Sequence, residues 1–323
     1  MPDAPHIFTR DFTRDPPLDV LTVADLCVDL VMTGDVVPRF GQAEQLVDGY
    51  QLELGGSATI CAAQLANLGA RAGVMGTLGK DAFGDFAANR LTEVGVCARR
   101  VERTDDTPTG LGVALVKPDG DRGILTVAGT IDSMRPDSLT DDALTEARHW
   151  HIASYFLLSG LRDAWPAWLG RCRESGITTS LDTNWDPAER WDGVADILPL
   201  VDVFLPNAEE ARAISGEVNV ASAGRLLARH GCLVVVKQGA DGATAFHGES
   251  VTSLDADDAL APADVVDSIG AGDCFDAGFL RGWMLGWDTV DCLRLAHRCG
   301  RASLAAPGGF RGQLVENVGS ADG

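Results

Sequence analysis

Residues 265–279 read VVDSIGAGDCFDAGF, and this stretch decides the predicted fold. Gly270, Ala271 and Gly272 let the backbone turn tightly, so that successive N–H groups can converge on an anion. The small side chains that follow predict a closely packed helix, whose first N–H groups and partial positive charge would add to an anion site. In open α/β sheets, such turns lie at the carboxyl ends of strands, where ligands bind. The stretch therefore predicts an α/β protein with an anion-binding turn.

Short apolar runs alternate with segments of helical period along the rest of the chain. Predicted strands cover residues 18–23, 72–76, 178–181, 201–205 and 233–236. Predicted helices cover residues 57–68, 81–94, 208–214, 220–229 and 274–285. This alternation predicts crossover units and a mostly parallel central sheet, flanked by helices on both faces.

Two stretches break the alternation. Residues 31–54 and 107–131 have the pattern of β-ribbons near Gly-rich turns. We expect them to pair into a small β-sheet lid over one end of the central sheet, and apolar faces of this lid could pair two chains into a homodimer. Residues 18–323 are predicted to form the α/β domain with its lid, and residues 1–17 a flexible N-terminal extension.

The composition argues against some classes of partner. The formal net charge is −21, with 47 acidic and 26 basic residues, and such a surface repels nucleic acid and anionic membranes. No apolar run approaches the ~20 residues that cross a bilayer, and no basic segment followed by an apolar one indicates a signal peptide. Eight cysteines without a C-x-x-C pair favour buried thiols in a reducing compartment. We therefore expect a cytoplasmic protein without a nucleic-acid or membrane partner.

Asp273 directly follows the Gly-rich turn. A carboxylate beside an anion pocket is where a general base for a hydroxyl nucleophile belongs, because it can take the proton of the attacking hydroxyl. The alternative is that Asp273 only caps the helix, since Asp is a favoured N-cap residue. The chain contains neither G-x-x-x-x-G-K-[ST] nor G-x-G-x-x-G, which weakens the P-loop and the dinucleotide-dependent oxidoreductase hypotheses.

Residues 267–280 resemble, position by position, the C-terminal signature of the PfkB/ribokinase-like carbohydrate kinases. The resemblance extends from Val20 to about Gly309. Companion motifs occur in the family's order: the small-residue helix start at 55–58, the D-T-N step at 182–184, the N-x-x-E motif at 207–210, the nucleotide turn at 237–242 and the Ala261-Pro262 pair. The resemblance implies a ribokinase-like fold that phosphorylates a hydroxyl of a sugar with ATP and Mg²⁺.

The resemblance also implies roles for residues on the phosphate side. Asp273 would be the catalytic base. The amides of Ala271, Gly272 and Asp273 would form the anion hole, in the catalytic turn that Gly270 begins. The expected nucleotide-binding residues are Asn184, Asn207, Glu210, Lys237, Gly239 and Gly242. Lys237 stands where relatives carry a small hydroxyl residue, so a phosphate contact and a solvated lysine at a strand end both remain open.

Two metal sites are implied. Asn207 and Glu210 would position Mg²⁺ through its waters, since this ion keeps most of its water shell. Asp267 and the carbonyl of Ile269 match positions that bind a monovalent cation, such as K⁺, in many relatives. Whether such a cation is required is left open.

On the acceptor side, Asp29 resembles the carboxylate that binds sugar hydroxyls from the end of the first strand. A simple turn role for Asp29 is the alternative. Gly55, Gly56 and Ser57 would form the segment that closes on the sugar. Four further residues lie near a strand end facing this region, and structural roles are favoured for them: His149, His151, Ser154 and Tyr155.

Three departures from the family pattern bear on the acceptor. Cys27 and Ile60 replace amides that help relatives read their sugar, and Asp186 replaces an Arg that would suit an acidic or phosphorylated sugar. We therefore predict a neutral sugar as the substrate. A nucleoside with its base against Ile60 is the alternative within the same reaction class, and a non-catalytic sugar- or nucleotide-binding protein on the same scaffold is the alternative from another class.

Overall fold

The computed structural model describes residues 17–119, 121–256 and 265–319. Apart from Pro17, the predicted N-terminal extension of residues 1–17 lies outside the described residues, and so does the Ala261-Pro262 pair. The strands are β1 (Leu18–Val23), β2 (Cys27–Thr33), β3 (Gly49–Gly55), β4 (Ala72–Gly79), β5 (Cys97–Thr104), β6 (Gly110–Val116), β7 (Arg122–Val127), β8 (Ala147–Ile152), β9 (Thr178–Leu181), β10 (Val203–Phe204), β11 (Leu233–Lys237), β12 (Ala243–His247) and β13 (Ser250–Leu254). The helices are α1 (Ser57–Asn67), α2 (Ala82–Glu93), α3 (Asp141–Leu144), α4 (Trp165–Glu174), α5 (Val194–Ile197), α6 (Ala208–Ser215), α7 (Val220–Ala228), α8 (Ala271–Met284), α9 (Thr289–Ser303) and α10 (Gly308–Arg311).

The central sheet has nine strands in the order β13-β12-β11-β10-β9-β8-β1-β4-β5. From β11 to β5 all neighbouring strands are parallel, and β12 and β13 add an antiparallel edge. Because parallel strands end on the same side, the loops after β1, β9 and β11 open at one edge of the sheet. The mostly parallel sheet predicted from the alternation of strands and helices is confirmed.

Helices cover both faces of this sheet, and each face has its own hydrophobic core. Val20 belongs to one core and its neighbour Leu21 to the other, because successive side chains of a strand point to opposite faces. The first core includes residues of α1, α8 and α9, and the second includes residues of α4 and α7. Strands that are buried on both faces read as continuous apolar runs, which is why the sequence revealed them.

The lid is a separate sheet of four strands in the order β3-β2-β6-β7. The two predicted ribbons meet where β2 pairs with β6 in parallel, while β3 and β7 pair antiparallel at the edges. The lid begins at Cys27, four residues earlier than predicted, and residues 34–48 connect β2 to β3 without strand structure. Asp29 therefore lies inside a lid strand and does not end the first strand. Among the described residues, no helix combines the length and apolarity required to cross a membrane.

Candidate active site

A cavity of about 540 Å³ lies between the lid and the strand ends of the central sheet. Its wall brings together predicted site residues that are far apart in the sequence: Asp29, Gly56, Ser57, Asn184, Asn207, Glu210, Lys237, Gly239, Ile269, Gly270, Gly272 and Asp273. It also contains residues that the sequence did not single out, among them Asp25 and Arg122. One cavity thus contains residues predicted to bind the phosphate donor and residues predicted to bind the sugar acceptor.

The Gly-rich turn forms the start of α8. Gly270 adopts a left-handed conformation with φ of 76°, which favours glycine, and it occupies the cap position of the helix. The N–H of Ala271 donates to the carbonyl of Ser268 at 3.4 Å, whereas the N–H groups of Gly272 and Asp273 have no acceptor among the described residues. A helix start with unused N–H groups is an anion-binding site.

Asp273 is the third residue of α8 and is buried, with 8% of its surface exposed. Because Gly270 holds the cap position, the helix-cap hypothesis for Asp273 is wrong. Burial, with the nearby Asp182 carboxylate, raises the pKa of Asp273 to about 8, while Lys237 and the Ser57 hydroxyl favour its ionised form. The ligand-free carboxyl therefore holds its proton at neutral pH, and Asp273 could act as a general base only in its ionised form, which Lys237 and Ser57 favour.

Lys237 ends β11 and is not a solvated lysine, since only 12% of its side chain is exposed. Its Nζ lies 2.7 Å from Asp182 Oδ2 and 2.9 Å from Asp276 Oδ2. Burial by itself would lower the pKa of Lys237, but the charges of Asp182, Asp276 and Glu210 raise it well above its usual value. Lys237 is therefore a buried cation within the cavity wall.

Asn207 and Glu210 form a capping box at the start of α6. The Asn207 side chain accepts from the Glu210 N–H at 2.9 Å, and Glu210 Oε2 accepts from the Asn207 N–H at 2.9 Å. Burial, with the charge of Asp182, raises the pKa of Glu210 to about 7. Each side chain already bonds the other, and no group of three His, Cys, Asp or Glu residues in the described parts could hold a metal directly. Both residues line the cavity, where their side-chain oxygen atoms could hold Mg²⁺ through its waters.

Asn184 is held close to the acceptor side. Its Oδ1 accepts from the N–H of Ser154 at 2.8 Å, and its Nδ2 donates to Ser57 Oγ at 3.1 Å. Asn184 and Ser154 both have left-handed backbones, with φ of 52° and 54°. Such conformations cost on the order of 1–3 kcal/mol each and concentrate at functional sites.

Asp29 lies on β2 and points between two neighbouring strands of the lid. A Cβ on Gly55 would lie 2.7 Å from Asp29 Oδ2, and a Cβ on Gly112 would lie 2.5 Å from Oδ1, so glycine is needed on both sides. Burial, with the charge of Asp25, raises the pKa of Asp29 to about 6. Its carboxylate has no hydrogen-bond partner among the described residues, which leaves it available to hydroxyl groups.

Asp25, which follows β1, is one of the site residues that sequence reasoning missed. It accepts hydrogen bonds from the N–H groups of Ser57 and Ala58, both at 3.2 Å, and from Ser154 Oγ at 2.6 Å. Asp25 thereby holds the start of α1 against the end of β1. Its position two residues after a buried strand was the available signal in the sequence.

Other predicted residues lie outside the cavity lining. Gly242 packs against β13, where a Cβ would lie 2.2 Å from the carbonyl oxygen of Leu254, whereas Gly239 lines the cavity with open space around it. Asp267 accepts from the N–H groups of Ile269 and Gly308, and Arg122 of the lid approaches it to 3.6 Å.

Of the residues favoured for structural roles, the two histidines are buried and hydrogen-bonded. His149 and His151 both contact Ser180 Oγ, and burial lowers their pKa values to about 3 and about 4, so both are neutral. Asp186, which stands in the place of the expected Arg, accepts three backbone N–H groups of residues 188–191. It therefore orders its own loop.

A protein-family model described as pfkB family carbohydrate kinase matches residues 18–312. The chain belongs to the pfkB family of carbohydrate kinases. This carbohydrate kinase is therefore a phosphotransferase whose acceptor is an alcohol group, as the signature at residues 267–280 predicted.

Individual relatives agree with this assignment. An ATP-dependent ribose-1-phosphate kinase of Halopiger xanaduensis is 28% identical over 289 residues, which cover 90% of this chain and 93% of the relative. The structure of an Arabidopsis thaliana ribokinase complexed with ribose and ATP superposes with a TM-score of 0.80 at 24% identity, covering 94% of this chain and 96% of that one. A putative ribokinase II of E. coli in complex with ATP and Mg²⁺ superposes with a TM-score of 0.78 at 24% identity, covering 92% and 96%. These structures confirm the ribokinase-like fold.

Proposed function

We propose that this carbohydrate kinase transfers the γ-phosphoryl group of ATP to a hydroxyl of a neutral sugar. The observation that supports it most is the buried Asp273 carboxyl beside the unused N–H groups of Gly272 and Asp273, in the same cavity as Asp29. In this reaction the sugar oxygen bonds to the γ-phosphorus while the bond from the γ-phosphorus to the β-phosphate oxygen breaks. Asp273 takes the hydroxyl proton, and ADP leaves.

The chain's residues would divide the work between the two substrates. Gly239 leaves open space for the nucleotide, while the Gly270–Gly272 turn would stabilise charge on the transferring group. Asp29, with Gly56 and Ser57, would orient the sugar hydroxyls. Mg²⁺ held through waters at Asn207 and Glu210 would neutralise charge on the phosphates. A monovalent cation such as K⁺ is proposed at Asp267 and the Ile269 carbonyl.

A neutral acceptor is favoured by the charges around the cavity. Asp25 and Asp29 would repel an anionic substrate, and Arg122, an arginine of the lining, lies beside Asp267. A nucleoside is the second candidate. It is favoured by the apolar part of the wall, formed by Ile60, Ile124, Ile131 and Leu157, which could contact a base.

The test is ADP release across neutral sugars, nucleosides, sugar acids and ribose 1-phosphate, with Mg²⁺ and with either K⁺ or tetramethylammonium. One neutral acceptor should give turnover, and Asp273→Asn should lower kcat by roughly 10²–10⁴ because the general base is lost. Asp291→Asn is the matched control, since Asp291 is likewise the third residue of a helix but lies at the start of α9.

The assay separates the parts of the proposal. Turnover only with ribose 1-phosphate or a sugar acid would contradict the neutral acceptor, and turnover only with nucleosides would favour the second candidate. Activity that survives Asp273→Asn would contradict the assignment of the base. Binding of ATP and a sugar without any turnover would favour the non-catalytic alternative. Equal rates in K⁺ and tetramethylammonium would contradict the monovalent cation site.

We also propose that two chains associate through the lid. Strand β7 lies at the edge of the lid sheet, and its side chains Leu125 and Val127 are more than half exposed. An edge strand with exposed apolar side chains is a ready surface for pairing with another chain.

The cysteines support a reducing compartment. All eight are free thiols, and seven of them are buried. We therefore propose a cytoplasmic location, which immunoblotting of fractionated cells would test.

A further inference from the structure

A buried ionic cluster lies beneath the Gly-rich turn and consists of Lys237, Asp182 and Asp276. The two aspartate side chains are 3% and 1% exposed, and the lysine side chain is 12% exposed. Ionisable groups are rarely buried to this degree unless they are paired, since removing a charge from water is unfavourable. The cluster therefore reflects a specific arrangement of the chain.

Three elements bring the cluster together. Asp182 follows β9, Lys237 ends β11, and Asp276 lies on α8 one turn after Asp273. The Lys237 Nζ lies 3.6 Å from the point where a Cβ on Gly272 would stand, so the ammonium group is adjacent to the anion-binding turn. Lys237 and Asp182 both line the cavity.

The hydrogen bonds of Lys237 leave one donor unused. An ammonium group has three N–H donors. Within the described residues, Nζ donates to Asp182 Oδ2 and Asp276 Oδ2 and to no other group. Two fixed acceptors restrict the flexible lysine side chain to one orientation, and the third N–H remains for a ligand in the cavity.

We propose that Lys237 binds the transferring γ-phosphoryl group and that Asp276 is a positioning residue acting through Lys237. This inference rests on the proposed function, because it requires a nucleoside triphosphate at the turn. The ammonium group and the N–H groups of Gly272 and Asp273 would then face the same phosphoryl oxygens. Fixed donors aimed at developing charge are the main source of catalysis in phosphoryl transfer.

Four variants separate this role from a purely structural one. Lys237→Met removes the charge, Asp276→Leu removes the acceptor, Asp276→Asn keeps an acceptor oxygen, and the fourth combines Lys237→Met with Asp276→Leu. Calorimetry with Mg²⁺ would compare the affinities for ADP and for AMP-PNP, a triphosphate analogue that is not hydrolysed. This readout needs no sugar and no turnover. Thermal unfolding of each variant would verify that it is folded.

The expected changes in affinity differ between the two nucleotides, because AMP-PNP carries a γ-phosphoryl group and ADP does not. Lys237→Met should weaken AMP-PNP binding by about 10- to 100-fold and ADP binding by less than about threefold, because one charged hydrogen bond to the γ-phosphoryl group is lost. Asp276→Leu should weaken AMP-PNP binding by about tenfold in the native background and by less than twofold in the Lys237→Met background. Asp276→Asn should stay within about threefold of the native protein.

Two outcomes would overturn the inference. If Lys237→Met left the ratio of the AMP-PNP and ADP affinities unchanged, Lys237 would be an internal counter-ion, even in an active kinase. If Asp276→Leu weakened AMP-PNP binding equally in the native and the Lys237→Met backgrounds, Asp276 would not act through Lys237. Absence of turnover with every acceptor, together with the expected affinities, would instead contradict the proposed function and support the phosphate role of Lys237.

Discussion

Asp273 shows how the surroundings of a single residue set its chemistry. In water its carboxyl group would be ionised at neutral pH. In the folded protein, burial makes the largest contribution to raising the pKa of Asp273, and the charge of Asp182 makes the second. The charge of Lys237 lowers this pKa. The folded state therefore retains a proton up to about pH 8 that the unfolded state loses near pH 4.

This difference predicts a pH dependence of stability at the residue scale. A raised pKa contributes stability that is complete below about pH 4 and is lost as the pH rises through about 8. Between pH 5.5 and pH 7.5, the ligand-free protein should therefore lose about 2 kcal/mol more of its free energy of unfolding than Asp273→Asn does. Urea unfolding of both proteins at the two pH values measures this.

The comparison with Asp273→Asn is needed because other groups titrate in the same range. Burial raises the pKa of Glu210 to about 7 and of Asp29 to about 6, and it lowers the pKa of His149 to about 3. These groups are present in both proteins, so their contributions largely cancel. Parallel pH curves for the two proteins would show that Asp273 is ionised at neutral pH in the folded state.

Helix α8 carries the site and also joins the core. Of its 14 residues, the 12 from Asp273 to Met284 are all buried, and Gly278 lies where α8 meets α9. A Cβ on Gly278 would lie 2.8 Å from the Ala296 Cα, closer than side chains approach. The small residues of the signature thus allow a close contact between helices, which fixes the direction of the Gly-rich turn.

At the scale of this element, Gly278→Ala should destabilise the protein by about 1–3 kcal/mol, because the added methyl group overpacks the contact between the two helices. Gly170→Ala is the matched control, since Gly170 also lies inside a helix but an added Cβ would meet nothing within 4 Å. Without a clash, that change should leave stability unchanged or raise it by up to about 1 kcal/mol. Chemical denaturation measures both, and equal effects would contradict the close contact.

The whole molecule encloses the site only because the lid lies over the sheet. Asp29, Arg122 and Ile124 reach the cavity from the lid, whereas Asp273 and Lys237 reach it from the central sheet and α8. The outer face of the lid remains apolar at β7. The lid is therefore the surface through which we propose that two chains associate.

At this scale, the proposed dimer predicts a mass in solution of twice the 34.0 kDa of the chain. Leu125→Lys should shift the protein to the monomer, because it places a charge on the apolar strand of the interface. Val218→Lys, at an exposed apolar residue outside the lid, should leave the mass unchanged. Sedimentation velocity would measure all three proteins, and a native monomer at micromolar concentration would contradict the dimer.

The strands and the Gly-rich turn could be predicted from the sequence, because they depend on the properties of neighbouring residues. The predicted strands at residues 18–23 and 178–181 match β1 and β9 residue for residue, because both stretches are rich in the β-branched and apolar residues that favour strands. The Gly-rich turn and its helix were equally readable, since only glycine and small side chains fit there. The family resemblance rested on the same residues, and the matching family model confirms it.

Tertiary structure decided what depends on contacts between distant segments. Whether Lys237 was solvated or buried could not be read from its neighbours, because Asp182 and Asp276 lie 55 and 39 residues away. Asp25 became visible as a site residue only through its bonds to Ser57 and Ser154. Hydrophobic periodicity indicates which face of a helix or strand is buried. It does not indicate which polar side chains from distant segments come into contact. The pKa values of the site residues depend on these contacts between distant segments, so only the folded structure sets them.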